Sequence, residues 1–142
     1  GVNGGAALLA EDGILMEVVS FTGKTETDLN DLFERWSLSC SLCYLEKVGS
    51  MPTDGHMGAF TFGKVYGLLR GMARSHGFTI KDVYPAVWQS RLECMTSGNK
   101  NVSKARAQQL FPKEKITRAK ADALLIAEYG RRIENALSNI RH

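Results

Sequence analysis

At 142 residues and 44% hydrophobic content, the chain suits one compact domain with a real core and is too short for two ordinary ones. No apolar run approaches the ~20 residues that cross a bilayer, and no secretory signal precedes the first element, so a membrane span is excluded and an intracellular protein is expected. The net charge of +3 is unevenly spread: three Lys/Arg stand against eight Asp/Glu in residues 1–50, five against three in 51–99, and ten against four in 100–142.

A basic C-terminal third suits a polyanion such as nucleic acid, although a solvated charged surface has the same composition. Three cysteines form no disulfide framework and fit a reducing interior. Cys40 and Cys43 make a Cys-x-x-Cys pair in a strand-like run. Only Cys94 and three scattered histidines remain to complete a zinc site, which argues against one.

Residues 5–10 and 14–21 are apolar, strand-like runs joined by Glu11-Asp-Gly13, a hairpin signal because glycine accepts the positive φ of a tight turn. Thr25 or Thr27 can cap a helix carrying Leu29, Leu32, Phe33 and Trp36 on one side. Ser41 to Val48 reads as a central strand covered on both faces, and Gly49 to Gly58 as a loop. Residues 59–76 form a helix with Phe62, Val65, Tyr66, Leu69 and Met72 on one side, closed by Gly77. Asp82 to Trp88 is a short strand leading into a helical turn. Ser97 to Val102 is a polar, basic loop. Ser103 to Phe111 is a short helix stopped by Pro112, and Thr117 caps a last helix reaching about Ile140. This order predicts a single α/β domain over residues 1–142, with a mixed central sheet flanked by helices.

Two acids stand out. Glu46 ends the central strand, on one face with Leu42, Tyr44 and Val48, where open α/β sheets present polar groups to ligands. Asp122 lies in Ala119-Lys-Ala-Asp-Ala-Leu-Leu-Ile-Ala127, and helical spacing sets it beside Leu125, Ile126 and Tyr129. A carboxylate there must protonate, find a partner or hold a metal. Paired carboxylates suit Mg²⁺ or Mn²⁺. The plainer alternative is that Glu46 pairs with Lys47 or Arg118 while Asp122 complements the helix dipole.

The helix 59–76 carries Gly63, Gly67 and Gly71 four residues apart. Each interior glycine costs roughly 1 kcal/mol against alanine, so the stripe calls for a close approach, either to the sheet or to a second helix in a dimer. Lys100, Lys104 and Arg106 flank a helix start at Ser103, a natural phosphate site, with Lys104 the best placed.

Tyr44-Leu-Glu-Lys-Val-Gly-Ser-Met-Pro52, Phe60-Thr-Phe-Gly63 and Tyr66-Gly-Leu-Leu-Arg-Gly71 together resemble the RuvC-type Holliday-junction resolvases of phage and organelle-like branches. Pro85 to Trp88, Ser103-Lys-Ala-Arg-Ala107, Leu110-Phe-Pro112 and Ala121-Asp-Ala-Leu-Leu-Ile-Ala-Glu-Tyr-Gly130 extend the resemblance to about nine-tenths of the chain. It implies a ribonuclease H-like fold and a homodimer that nicks four-way DNA junctions with Mg²⁺ or Mn²⁺, two cations per site. The setting it implies is a bacterial or phage cytoplasm or an organelle nucleoid. By the same resemblance Glu46 and Asp122 become metal ligands and Lys104 a DNA contact near the scissile phosphate. The helix 59–76 becomes the dimer element, and Met51 and Phe60 become wedges at the junction centre.

The chain departs from the family pattern twice. The family's first acid sits on strand one in a pattern like Gly-Ile-Asp-Pro-Gly. The segment Gly1-Val-Asn-Gly-Gly-Ala-Ala-Leu8 aligns best just after it, so the first strand is expected to be truncated or unresolved before Gly1; the other alignment makes Asn3 a replacement for the acid. The family also has an acid or histidine shortly before the last-helix acid, where this chain has Thr117, Arg118 and Ala119. A second metal would need support from elsewhere, such as Asp54 or His56. Both departures keep two other functions open: a junction-binding protein without catalysis, and a branch- or flap-specific nuclease.

Overall fold

The structure, a computed structural model, describes residues 4–47 and 55–141. Its elements in chain order are β1 (Gly5–Leu9), β2 (Leu15–Ser20), α1 (Glu26–Trp36), β3 (Leu42–Glu46), α2 (His56–Ser75), β4 (Thr79–Val83), α3 (Pro85–Arg91), α4 (Lys100–Leu110) and α5 (Arg118–Arg141). They fall into two compact units, one of Gly1–Gly23 with Ala86–His142 and the other of Lys24–Pro85.

In the first unit β1 and β2 form the expected antiparallel hairpin, with Gly5 opposite Ser20 and a register shift between Leu8 and Leu9. Gly13 takes φ +92° at the turn, and the Ile14 amide donates to Asp12 Oδ1 at 3.0 Å. The helix α5 packs along both strands and against α4. Its buried residues Ala121, Leu124, Leu125 and Glu128 follow the i, i+3, i+4, i+7 spacing of one helical face. Trp88, Leu92, Cys94, Ala107 and Phe111 share the core of this unit with Leu8, Phe21 and Ile116.

In the second unit β3 and β4 pair in parallel, with Tyr44 opposite Lys81 and Glu46 opposite Val83. Thr25 caps α1 through a capping box: its hydroxyl accepts from the Asp28 amide, and the Asp28 carboxylate accepts from the Thr25 amide. Leu29, Leu32, Phe33 and Trp36 are all buried, as their spacing predicts. Phe33 meets Phe78 edge to face with ring centroids 6.0 Å apart. Gly77 takes φ +82° and closes α2, its amide donating to the Arg74 carbonyl.

Several expectations shift. Among the described residues the strands form two two-stranded sheets, and β3 pairs with β4 alone with each of its residues half-buried. The segment read as a strand from Asp82 divides earlier: β4 ends at Val83, and Pro85 opens α3, since its fixed φ suits a first helical turn. The fourth helix begins at Lys100 rather than Ser103, because the Asn99 side chain accepts from the Asn101 amide and caps it first.

The face assigned inward on α2 is only partly covered. Phe62 is exposed, Val65, Tyr66, Leu69 and Met72 are half-buried, and Ala73 is the buried residue of the helix. Contact with β4 runs instead through a polar knot. Tyr66 Oη donates to Asp82 Oδ1 at 2.6 Å, and Arg70 Nη1 donates to Asp82 Oδ2 at 2.9 Å and to Tyr66 Oη at 3.1 Å. No helix among the described residues is long and apolar enough to cross a membrane.

Candidate metal and nucleic-acid site

Asp122 lies in the second turn of α5, half-buried between Ala121 and the fully buried Leu124 and Leu125. Burial pushes its carboxyl above the ordinary carboxylate range; the Lys100 charge and a hydrogen bond from Ser103 pull it back part of the way. Ser103 is itself buried, and its hydroxyl donates to the Lys100 carbonyl of its own helix at 3.2 Å. Cys94 is buried nearby. Burial raises its thiol pKa, the Arg106 charge opposes that rise and the Asp122 charge adds to it.

Glu46 occupies the last position of β3, half-buried, and the next amide, of Lys47, donates to the Val83 carbonyl at 2.9 Å. Strand alternation sets it on one face with Tyr44, whose ring lies 5.9 Å from Lys81 Nζ.

Lys100 and Lys104 are both exposed, one in the first turn of α4 and one a turn further on. The earlier start of α4 places Lys100 in its first turn, where Asn99 accepts from the Asn101 and Val102 amides, and makes Ser103 one of its buried residues. Arg106 has a different task. Its Nε donates to the Leu92 carbonyl at 2.9 Å and its Nη1 to Gln109 Oε1 at 3.1 Å, which ties α4 to the end of α3. Phe60 is 71% exposed near the start of α2. Met51, Asn3 and Asp54 lie outside the described residues, and His56 opens α2.

The glycine stripe of α2 is open: a Cβ added at Gly63, Gly67 or Gly71 would meet nothing within 4 Å. Packing against the sheet therefore does not explain it. Exposed Met57, Phe60 and Phe62 lie on the same helix.

No three His, Cys, Asp or Glu side chains among the described residues converge on a metal position. The donors are chemically suitable all the same. Mg²⁺ and Mn²⁺ take hard oxygen ligands and are commonly held by one or two carboxylates, with waters and substrate phosphates filling the rest. Asp122, half-buried among apolar neighbours and raised in pKa, is a carboxylate that a cation would stabilise. Spacing alone marks Asp122 and Glu46 in the sequence. In the sequence Ser103 reads as a helix start, and its place among the buried residues of α4 follows from the earlier cap at Asn99.

No family model matches the chain. Over 96 residues, 61% of this chain, it is 34% identical to the chloroplastic Holliday junction resolvase MOC1 of Chlamydomonas reinhardtii, and the match spans 10% of that protein's length. Its fold is similar to that of T. thermophilus RuvC in complex with a Holliday junction substrate, with TM-score 0.64 and 16% identity over 91% of this chain and 87% of that one. A second Thermus thermophilus RuvC structure is similar at TM-score 0.62 and 17% identity, over 92% of this chain and 88% of that one. The chain thus has the RuvC fold, the ribonuclease H-like α/β architecture expected from its motifs.

Proposed function

We propose that this chain is the nuclease domain of a Holliday-junction resolvase: a metal-dependent endonuclease that cuts four-way DNA junctions in a compartment holding DNA. The observation that carries it is the coincidence of a RuvC fold over nine-tenths of the chain with a half-buried carboxylate, Asp122, at the point where the motif match calls for a metal ligand. The 34% identity to a junction resolvase supports the same choice of substrate.

In this proposal Asp122 and Glu46 hold Mg²⁺ or Mn²⁺, two per site. The cations would supply the activation of a water and the stabilisation of the leaving oxygen in phosphodiester hydrolysis. The exposed Lys104 and Lys100 offset phosphate charge and hold the strand in register. The proposal assigns the open glycine stripe of α2 to a second copy of the chain and treats residues 1–142 as one nuclease domain. Junction preference then comes from dimer geometry and DNA shape, since phosphate contacts carry no sequence information directly.

The test is nicking of labelled four-way, three-way and linear DNA with Mg²⁺ or Mn²⁺, using the wild type, Asp122→Asn and Glu46→Gln. Wild-type protein should cut the four-way junction, and each variant should bind it without cutting. Normal cleavage by either variant would remove that residue from the site. Cutting of three-way DNA or flaps in preference would make the protein a branch nuclease.

A second reading has its own support, since no three-residue metal cluster stands among the described residues. In that case the chain binds junctions without catalysis, and a metal titration gives a gel shift with no product under any cation.

A further inference from the structure

Lys47 and Tyr84 stand side by side just past the carboxyl ends of β3 and β4. The Lys47 amide donates to the Val83 carbonyl at 2.9 Å, which carries the pairing of the two strands one residue beyond Glu46. Strand alternation puts both side chains on the face that bears Asp82, the face opposite to that of Glu46. The Lys47 ammonium lies 5.9 Å from the centre of the Tyr84 ring, and both residues are exposed, Tyr84 by 54%. Pro85 follows Tyr84 and disfavours helical backbone there, so the ring projects from a restrained position with two side-chain torsions of its own.

The same contact occurs once more on this pair of strands, with a different setting. Lys81 lies 5.9 Å from the Tyr44 ring on the opposite face, in mid-strand, where both residues are half-buried. Lys47 and Tyr84 repeat it in the open, where a cation–π contact at the limit of its ~6 Å reach holds the ammonium only weakly. The neighbouring acid is already paired: Asp82 accepts from Arg70 Nη1 at 2.9 Å and from Tyr66 Oη at 2.6 Å. The Lys47 charge therefore remains available to an anion. Groups at the carboxyl ends of parallel strands face the place where open α/β sheets bind ligands. A cation beside an exposed aromatic ring fits a nucleotide strand, whose phosphate takes the charge and whose base stacks on the ring.

We propose that Lys47 and Tyr84 form a DNA-strand contact next to Glu46, the ammonium on a phosphate and the Tyr84 ring stacked on an unpaired base of the same strand. This rests on the proposed reading of the chain as a junction nuclease. It adds a contact on the unit that holds β3 and β4 to those proposed for α4. The two halves of the contact select differently. Charge serves any DNA, whereas stacking serves DNA with a base free of its neighbours, as where strands exchange at a branch.

The experiment is equilibrium binding without metal to a four-way junction, to single-stranded oligothymidylate and to a linear duplex, at four salt concentrations, with a thermal melt of each protein. The variants are Lys47→Met, Lys47→Arg, Tyr84→Leu and Tyr84→Phe. Lys47→Met should weaken binding to all three DNAs and lower the dependence of log K on log salt by about one unit, and Lys47→Arg should keep the slope. Tyr84→Leu should bind the oligothymidylate and the junction about fivefold or more weakly, with the salt slope unchanged and the duplex within about twofold of wild type. Tyr84→Phe, which keeps the ring, should bind like wild type. If Tyr84→Leu melts early, the ratio of oligothymidylate to duplex affinity decides, because a loss of folded protein weakens both alike. Equal losses on duplex and single strand, or none on either, would overturn the stacking role of Tyr84, and an unchanged salt slope in Lys47→Met would overturn the phosphate contact. A wild type that binds the junction no better than the linear duplex would instead overturn the junction reading, whatever the variants do on the oligothymidylate.

Discussion

Gly5 and Ala119 meet backbone to backbone. A Cβ on Gly5 would stand 2.6 Å from the Ala119 carbonyl oxygen and 2.8 Å from that of Val19. Strand β1 is thereby pressed against the first turn of α5, one turn before Asp122. The hairpin consequently sets the height at which the candidate ligand emerges from its helix.

Gly5→Ala tests this directly. Both atoms in the way are backbone, so neither can swing aside as a side-chain tip would, and the strand or the helix must shift. Such overpacking costs about 1–3 kcal/mol. We expect a melting temperature lower by several degrees and Mn²⁺ affinity reduced along with it, because the displaced turn carries the acid. Gly71→Ala is the control. Its added Cβ meets nothing of its own chain within 4 Å, so in the dilute, undimerised protein the helix should gain about 1 kcal/mol and metal binding should not change.

Much of this architecture is legible locally and little of it at long range. Asp12-Gly13 announces the hairpin, Thr25 with Asp28 announces the α1 cap, and the spacing of Leu29, Leu32, Phe33 and Trp36 identifies the buried face. The awkward position of Asp122 is also readable, because burial on a helix follows from neighbours three and four residues away. The contact of Gly5 with Ala119 joins residues distant in sequence, and no local period marks it. The start of α4 is ambiguous in the sequence for a local reason: Asn99 and Ser103 are both competent caps, and the earlier one prevails. The glycine stripe was conspicuous, but a sequence does not say whether a close approach is to the chain's own sheet. The open space at all three positions decides that.

Glu128 is a buried acid with its partners on its own helix. Arg131 Nη2 donates to Oε2 at 2.9 Å and Arg132 Nε to the same oxygen at 3.0 Å, with the carboxylate side chain 7% exposed. Burial raises its pKa, but the hydrogen bonds and charges of the two arginines outweigh that and hold it below the usual 4.5. A depressed folded-state pKa contributes stability that is fully present above the unfolded value and is lost as pH falls through the folded one. Glu128→Gln should therefore cost about 1–3 kcal/mol in urea unfolding near neutral pH. The difference from wild type should hold down to about pH 5 and shrink at lower pH. A gap that stays constant into the acid range would show that the carboxylate charge is not what stabilises the turn.

Two neighbouring cations of α4 should separate cleanly. Lys104 is exposed, whereas Arg106 is committed to the Leu92 carbonyl and Gln109. For junction DNA bound without metal, Lys104→Ala should weaken affinity and lower the dependence of log K on log salt by about one unit, with no loss of stability. Arg106→Ala should leave the salt slope alone and cost about 1–2 kcal/mol of stability, since it strips the Leu92 carbonyl of its donor. Binding isotherms at four or five salt concentrations and a urea titration read both. The reverse pattern would transfer the phosphate contact from Lys104 to Arg106.

Gly67→Leu addresses the face of α2 that the chain leaves open. Nothing within 4 Å opposes a Cβ there, so the folded monomer accommodates the side chain and its helix gains about 0.8–1 kcal/mol in propensity. A second helix lying along Gly63, Gly67 and Gly71 would be pushed away by the added isobutyl group, because backbones that approach over glycine leave no room for it. Sedimentation velocity at several concentrations should find the wild type as a dimer and Gly67→Leu as a folded monomer. Junction binding by the variant should weaken as the second set of contacts is lost. A variant that still sediments as the dimer would place the partner on another surface, and the glycines of α2 would then need a different occupant.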